Sequence, residues 1–294
     1  MAKIALLGGD ERQIYTARML ARRGRSVHVW GLGREEKRLC PASACENPHE
    51  ALADARVLIL PLPCTVDGVR VNCPLERDAS FRFASLFEEW KGDLVLGGRI
   101  PESLRELAHG AEVIDYYENE ALQLRNAVPT AEGAISLAMQ ALSVMLDGSC
   151  GAVIGYGRIA TVLADKLTAL GMQVYLYARK PQDLTRAGIR HLIPMSLCDR
   201  RGDSTLSRLP RNCRVIFNTV PYPLFDRAAL EALPRDCVYI ELASAPGGMD
   251  LIAAGELGIK RIMGGGLPGR CTPESAGEIL GDVIDEILDT RGVD

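Results

Sequence analysis

The sequence predicts an α/β protein of two domains, each a parallel sheet covered by helices. Three observations predict it. Short apolar runs alternate with helix-like stretches from end to end of the chain, as strands joined by helical crossovers do. The length, 294 residues, suits two domains of roughly 150 residues. A glycine string, Gly155-Tyr156-Gly157-Arg158-Ile159-Ala160, stands between a strand-like and a helix-like run. Composition agrees, because 47% hydrophobic and 24% charged residues exclude collagen-like, coiled-coil and disordered chains. A net charge of −4 without a basic run argues against nucleic acid as a partner. The longest apolar stretch, Val57–Cys64, contains two prolines and falls short of the roughly 18 residues of a spanning helix. Met1-Ala2-Lys3-Ile4-Ala5 runs straight into a strand pattern with no signal-peptide core, so a cytoplasmic location is expected. Nine scattered cysteines without a C-x-x-C pair read as reduced thiols, with no metal site.

In the first half, strands are predicted at Ile4–Leu7, Val27–Trp30, Val57–Leu60, Leu94–Leu96 and Glu112–Asp115. Helices are expected near Glu11–Arg23, Pro48–Ala53, Phe81–Trp90, Pro101–Ala108 and Glu118–Leu124. Cys64–Ser80 lacks periodicity and reads as a loop, and Gly31–Asn47 carries no assignment. A connecting helix is drawn over 129–147. There Thr130 can act as N-cap, Glu132 can complement the dipole, and Ile135, Ala138, Met139, Leu142, Met145 and Leu146 share a face. Six strands follow at Cys150–Ile154, Gln173–Ala178, Gly188–Ile193, Val215–Val220, Cys237–Ala243 and Lys260–Met263. Helices lie between them near Arg158–Leu170, Asp226–Leu233 and Asp250–Leu257, with a polar loop at Asp199–Pro210. Thr272, Pro273 and Glu274 start a closing helix. The domains are therefore drawn as 1–128, 129–270 and a helix in 271–294 that returns to the first domain.

In a strand–helix context the glycine string has a physical reading. Gly155 permits the tight turn, Gly157 lets backbone approach a pyrophosphate, and Ala160 lets helix and strand pack closely. Tyr156, Arg158 and Ile159 complete the loop, whose helix N-terminus offers unpaired N–H groups to phosphate. The alternative is a glycine-rich turn with no ligand. The second domain is accordingly read as an NAD(P)-binding Rossmann domain, and the first as a flavodoxin-like or Rossmann-like sheet. At the end of the next strand an NAD site carries a carboxylate for the ribose 2′-OH. Arg179 and Lys180 stand there instead, which favours a 2′-phosphate and hence NADP(H), with NAD(H) as the other option. Two later strand ends, Asn218-Thr219-Val220-Pro221 and Glu241–Gly248, should face the nicotinamide half, with Thr219, Val220, Pro221 and Ala243 as the candidate contacts. Twelve of the 29 glycines fall just past predicted strand ends: Gly8, Gly9, Gly97, Gly98, Gly155, Gly157, Gly247, Gly248, Gly264, Gly265, Gly266 and Gly269. They are read as lining a ligand cleft.

The chain also resembles a known family along nearly its full length. The resemblance rests on Gly8-Gly9-Asp10-Glu11-Arg12-Gln13, on Asn126-Ala127-Val128-Pro129-Thr130-Ala131-Glu132-Gly133, and on the nucleotide loop. It rests also on Ala243-Ser244-Ala245-Pro246-Gly247-Gly248-Met249-Asp250 and Gly266-Leu267-Pro268-Gly269. These strings are similar to those of dipicolinate synthase A subunits. The resemblance implies a sporulation enzyme on a branch of lysine biosynthesis. It would oxidise a dihydrodipicolinate-type precursor to dipicolinate, with hydride passing to the nicotinamide. It implies as well a hetero-oligomer with a flavoprotein-like second subunit (the B subunit of dipicolinate synthase) and a mother-cell location; a homodimer is also allowed. A dicarboxylate substrate needs cationic or N–H-rich clamps. Arg12, Asn126, Thr130 and Arg270 are the candidate contacts, with Arg99 and Arg125 beside neighbouring loops. Glu132 and Asp10 are the candidate proton acceptors. His28, His49, His109 and His191 fall outside the family strings, and two of them sit inside expected strands, so none is assigned as base.

Two other readings compete. A shikimate- or 2-hydroxyacid-type dehydrogenase shares the layout. However, Gly264–Gly281 has no histidine, and no Lys–Asp pair is evident in the first domain. A non-catalytic NADP sensor would bind cofactor without turnover.

Overall fold

Strands buried on both faces alternate with one-sided helices to build two parallel sheets in this computed structural model. The structure describes residues 1–33, 36–76, 80–108, 110–198 and 202–294. Part of the unassigned segment (34–35), parts of two expected loops (77–79 and 199–201) and His109 lie outside the described residues. Two compact units divide the chain: Met1–Asn126 with Pro268–Asp294, and Ala127–Leu267.

The first unit runs β1 (Lys3–Leu7), α1 (Glu11–Arg22), β2 (Ser26–Trp30), α2 (Glu36–Leu39), β3 (Ser43–Ala44), α3 (Pro48–Leu52), β4 (Val57–Ile59), α4 (Phe83–Glu89), β5 (Leu94–Gly97), α5 (Glu102–Leu107) and β6 (Glu112–Asp115). Its sheet order is β3-β2-β1-β4-β5-β6. The period of two sends Ile4 and Leu6 into one core cluster and Ala5 and Leu7 into another. Coverage on both faces explains why the central strands read as unbroken apolar runs.

A single helix, α6 (Glu120–Ala141), follows where the sequence suggested two with a break at Pro129. Proline normally interrupts a helix by removing an N–H and crowding the preceding turn. Here Asn119 starts the helix by accepting from Leu122 N at 3.0 Å. Ala127, Ala131, Ala134 and Ala138 are buried along it, and that packing holds the helix together past the proline. Thr130 is therefore not an N-cap, and Glu132 lies well inside the helix.

The second unit contains β7 (Cys150–Ile154), α7 (Arg158–Ala169), β8 (Gln173–Ala178), α8 (Pro181–Ile189), β9 (Ile193–Ser196), β10 (Cys213–Asn218), α9 (Arg227–Glu231), β11 (Val238–Glu241), α10 (Leu251–Glu256) and β12 (Arg261–Met263). The order, β12-β11-β10-β7-β8-β9, repeats that of the first sheet strand for strand. Both are the Rossmann order of the doubly wound sheets. The strand expected at Gly188–Ile193 begins only at Ile193. Before it lies α8, whose signal was Pro181 in its first turn. His191 sits in a turn with φ of 61° and not in a strand. The expected loop near Arg270 contains a helical turn, α11 (Leu267–Cys271), before α12 (Pro273–Thr290).

Helix α12 packs on α1 at two glycines. A Cβ on Gly277 would lie 2.4 Å from the Arg12 carbonyl oxygen, and one on Gly281 2.2 Å from Met19 Cε. Thr16 Oγ1 donates to the Gly277 carbonyl at 2.9 Å. Outside this seam, Arg23 bonds Asp282 and Asp285 at 2.6 and 2.9 Å, and Arg125 bonds Asp282 at 2.6 Å.

Two outcomes are expected. Gly277→Ala should destabilise by about 1–3 kcal/mol, because the obstacle is backbone and overpacking outweighs helix propensity. Gly255→Ala, on α10 with nothing within 4 Å, should stabilise by up to ~1 kcal/mol. Denaturant unfolding of both variants checks the pair. Burial disfavours ionised Asp282, but hydrogen bonds from Arg125 and Arg23 prevail and hold its carboxyl below the usual range. That stability is present above the unfolded carboxylate value of about 3.9 and disappears as pH falls through the folded one. Asp282→Asn should therefore melt lower than the parent at pH 7, and the gap should close on acidification below that value.

Candidate functional site

The turn after β7 is fixed by three strand ends. Gly155 N donates to the Tyr177 carbonyl at 2.8 Å, and Thr219 N donates to the Ile154 carbonyl at 3.0 Å. Gly155 has φ of +107°, and a Cβ there would meet Thr219 Oγ1 at 2.4 Å. The chain itself thus requires this glycine. Gly157 differs, for its φ of −89° and ψ of −169° suit any residue, and a Cβ would meet nothing within 4 Å. It is the N-cap of α7, with no side-chain cap and no acidic residue in the first turn. The space beside Gly157 leads to the first-turn N–H groups and positive end of that helix, which suits a pyrophosphate. Ala160 is fully buried against the strand, as close helix–sheet packing requires. Tyr156 and Ile159 are half-buried and Arg158 is exposed.

Arg179 and Lys180 lie directly past β8. Both are exposed, and neither forms an ion pair among the described residues. Two uncommitted cations thus stand where an NAD site places its carboxylate. Thr219, Val220 and Pro221 follow β10, and Ala243 follows β11. Beneath these loops the structure buries a polar pair, Asn218 at 0% and Glu241 at 1% exposure. They open the two strand-end segments expected to face the nicotinamide half, and Glu241 closes the apolar strand Val238-Tyr239-Ile240-Glu241.

In the first unit Asp10 caps α1 by accepting from Arg12 N at 3.1 Å. Its two oxygens also receive Arg12 Nε at 2.9 Å and Nη2 at 2.8 Å, and Nη2 reaches the Leu62 carbonyl at 2.6 Å. A Cβ on Gly269 would touch Asp10 Oδ2 at 2.5 Å, so the turn carrying Arg270 rests on this pair. The structure thereby brings Asp10, Arg12 and the Arg270 turn together. Asn126 and Thr130 are spaced i,i+4 on α6 and share a face. Glu132 does not join the nucleotide loop. It pairs with Lys166 at 2.8 Å, eight residues and about 12 Å along α7 from the phosphate-facing end. Arg125 is committed to Asp282, and Arg99 lies over the Tyr117 ring at 5.0 Å. Burial pushes the Cys64 and Cys73 thiols up to about 12, which leaves both as poor nucleophiles near neutrality. His28 is half-buried inside β2, and that burial, with the Lys3 charge, lowers its pKa.

The first sheet has the same switch point, between β1 and β4, but it is filled. Gly9 N donates to the Asn72 carbonyl at 2.8 Å. A Cβ on Gly8 would strike that oxygen at 2.7 Å and Cys73 Sγ at 2.8 Å. Of the twelve glycines read as cleft lining, only Gly157, Gly265 and Gly266 have nothing within 4 Å of a Cβ position. A Cβ at each of the other nine would meet the chain's own atoms at 3.0 Å or closer. Among the described residues no cluster of His, Cys, Asp and Glu could hold a metal, and no helix is long and apolar enough to cross a membrane.

Comparison with known proteins agrees with this architecture. Residues 3–117 match the family model for the N-terminal domain of the dipicolinate synthase A subunit. The chain is 27% identical to the dipicolinate synthase A subunit of Bacillus subtilis (strain 168), over 97% of this chain and 95% of that protein. The crystal structure of the B. subtilis protein superposes with a TM-score of 0.83, covering 98% of this chain and 96% of that one. The corresponding protein from Bacillus halodurans gives 0.86 at 26% identity, covering 98% and 97%. D-lactate dehydrogenase of Escherichia coli gives 0.59 at 14% identity, covering 98% and 97%, a likeness of fold alone. The resemblance read from the motifs thus extends along 97% of the chain, on a fold shared with D-lactate dehydrogenase.

Gly157→Val should cost no more than about 1 kcal/mol of stability, the N-cap preference for glycine over valine, because its side chain meets open space. It should weaken nucleotide binding about tenfold or more. Thermal melting and a nucleotide titration of one preparation check both halves of that expectation.

Proposed function

We infer that this chain, a full-length relative of dipicolinate synthase A subunits, is an NADP(H)-dependent oxidoreductase subunit. Its substrate would be the cyclic dihydrodipicolinate-type precursor, and its product dipicolinate. The observation that carries the reading is the uncapped N-terminus of α7 beside Gly157, with Arg179 and Lys180 at the next strand end. Gly155, Gly157 and the α7 N–H groups would hold the pyrophosphate, and the two cations the 2′-phosphate. When bound, the nicotinamide supplies the hydride acceptor. The chain's share of the chemistry is to bind the dicarboxylate, orient it and take up a proton.

For the dicarboxylate, Arg12, Asn126, Thr130 and Arg270 remain the proposed contacts. The Asp10 pairing commits Arg12 Nε and Nη2, so Asp10 also fixes the guanidinium plane. Of the two carboxylates, we assign Asp10 as proton acceptor. Its side chain is 32% exposed at the strand-carboxyl end of its sheet, whereas Glu132 ties α6 to α7. Asp10→Asn keeps an N-cap and should lower turnover about 10²–10⁴-fold, while Glu132→Gln should retain most of it.

A flavoprotein-like second subunit is the proposed partner, in the mother cell of a sporulating bacterium. The test is co-expression with that partner, supply of the lysine-branch precursor and NADP, and detection of dipicolinate by ultraviolet absorbance. Absence of product with either nicotinamide cofactor overturns the reading. NADPH should bind more tightly than NADH, and Arg179→Ser with Lys180→Ser should erase the difference. Because the first unit's glycine turn is filled, calorimetry should find one nucleotide per chain.

A further inference from the structure

We propose that Glu241 is a positioning residue that shapes the nicotinamide half of the nucleotide site. The inference rests on the reading of the second unit as a nucleotide binder. In a sheet of this order each half serves one mononucleotide. The loops after β10 and β11 belong to the half opposite the adenosine side.

Glu241 closes β11 with its side chain wholly buried. Oε1 accepts from Asn218 Nδ2 at 2.7 Å and from Ala243 N at 3.2 Å. Oε2 accepts from Gly248 N at 2.8 Å and from the Tyr239 hydroxyl at 3.4 Å, with Arg261 Nη2 at 3.9 Å. Every neighbour is a donor, so the site requires an acceptor at both oxygens. A glutamine would turn an NH2 group against a donor and leave buried groups unpaired.

Asn218 carries the constraint to the second loop. Its Nδ2 also donates to the Val220 carbonyl at 2.9 Å, and its Oδ1 accepts from Val220 N at 3.2 Å. Its backbone carbonyl accepts from Leu242 N at 2.8 Å and Ala243 N at 3.1 Å. One buried carboxylate thus fixes the course of both Thr219–Pro221 and Ala243–Gly248. Gly248 is glycine for the same reason, since a Cβ would lie 2.2 Å from Asn218 Nδ2 and 2.5 Å from the Tyr239 hydroxyl.

The test compares NADPH with 2′,5′-ADP, which carries only the adenosine half, on the purified full chain. Glu241→Gln should weaken NADPH binding about tenfold or more and leave 2′,5′-ADP within about twofold, with the far-ultraviolet circular dichroism retained. Gly248→Ala, which disturbs the network from its other side, should show the same split. Tyr239→Phe, which removes only the longest bond, should show a smaller one and serves where the other variants do not fold. Equal loss for both ligands, or no loss for either, overturns the proposal. If the unmodified chain binds NADH instead, ADP replaces 2′,5′-ADP as the fragment. A parent chain that binds neither nucleotide overturns the proposed function, and this inference with it.

Discussion

Between β7 and β10 the covering helices change faces. Helices α7 and α8 pack with one core cluster, and α9 and α10 with the other. At that divide no strand-to-helix turn can cover its neighbour, so a crevice opens at the carboxyl ends of the strands. The rest of the second unit follows from this constraint. Gly155 must turn sharply there, α7 must begin there, and its first N–H groups must find partners outside the helix. The buried Glu241–Asn218 pair pins the loops after β10 and β11.

The first unit meets the same constraint and resolves it differently. Its strand order is identical, yet residues 71–73 lie on the glycine turn, and the Asp10 carboxylate occupies the helix N-terminus where a phosphate would otherwise go. The helix start therefore presents the Asp10–Arg12 pair. The α1–α12 seam holds that helix in place. Its close approach depends on Gly277 and Gly281, and Arg23, Asp282 and Asp285 brace its outer side.

Much of this is legible in the residues. Short apolar runs place ten strands near their true positions; β3, with only Ser43 and Ala44, leaves no periodic trace, and β9, expected over Gly188–Ile193, lies at Ile193–Ser196. The nucleotide loop is legible because glycine spacing encodes local geometry. The α6 boundary is not, because tertiary burial of a line of alanines overrides a local proline rule. Nor can the residues alone separate glycines needed for packing from glycines left for a ligand, since both look alike until neighbouring atoms are placed. Glu132 misleads for the same reason as Pro129: the local pattern indicates a helix start where a helix interior lies. The place of Glu241 at a strand end is legible, but its buried network is not, because a single acid there carries no spacing signal for its partners Asn218, Ala243 and Gly248.

The segment over the first glycine turn is part of the folded unit itself. Exposing that turn would mean breaking the bond from Gly9 N to the Asn72 carbonyl and unpacking Val71 and Cys73 from their core cluster, a local unfolding event and not a simple displacement. The duplicated topology therefore carries one turn open to its surroundings, at Gly157, and one closed by the chain's own atoms.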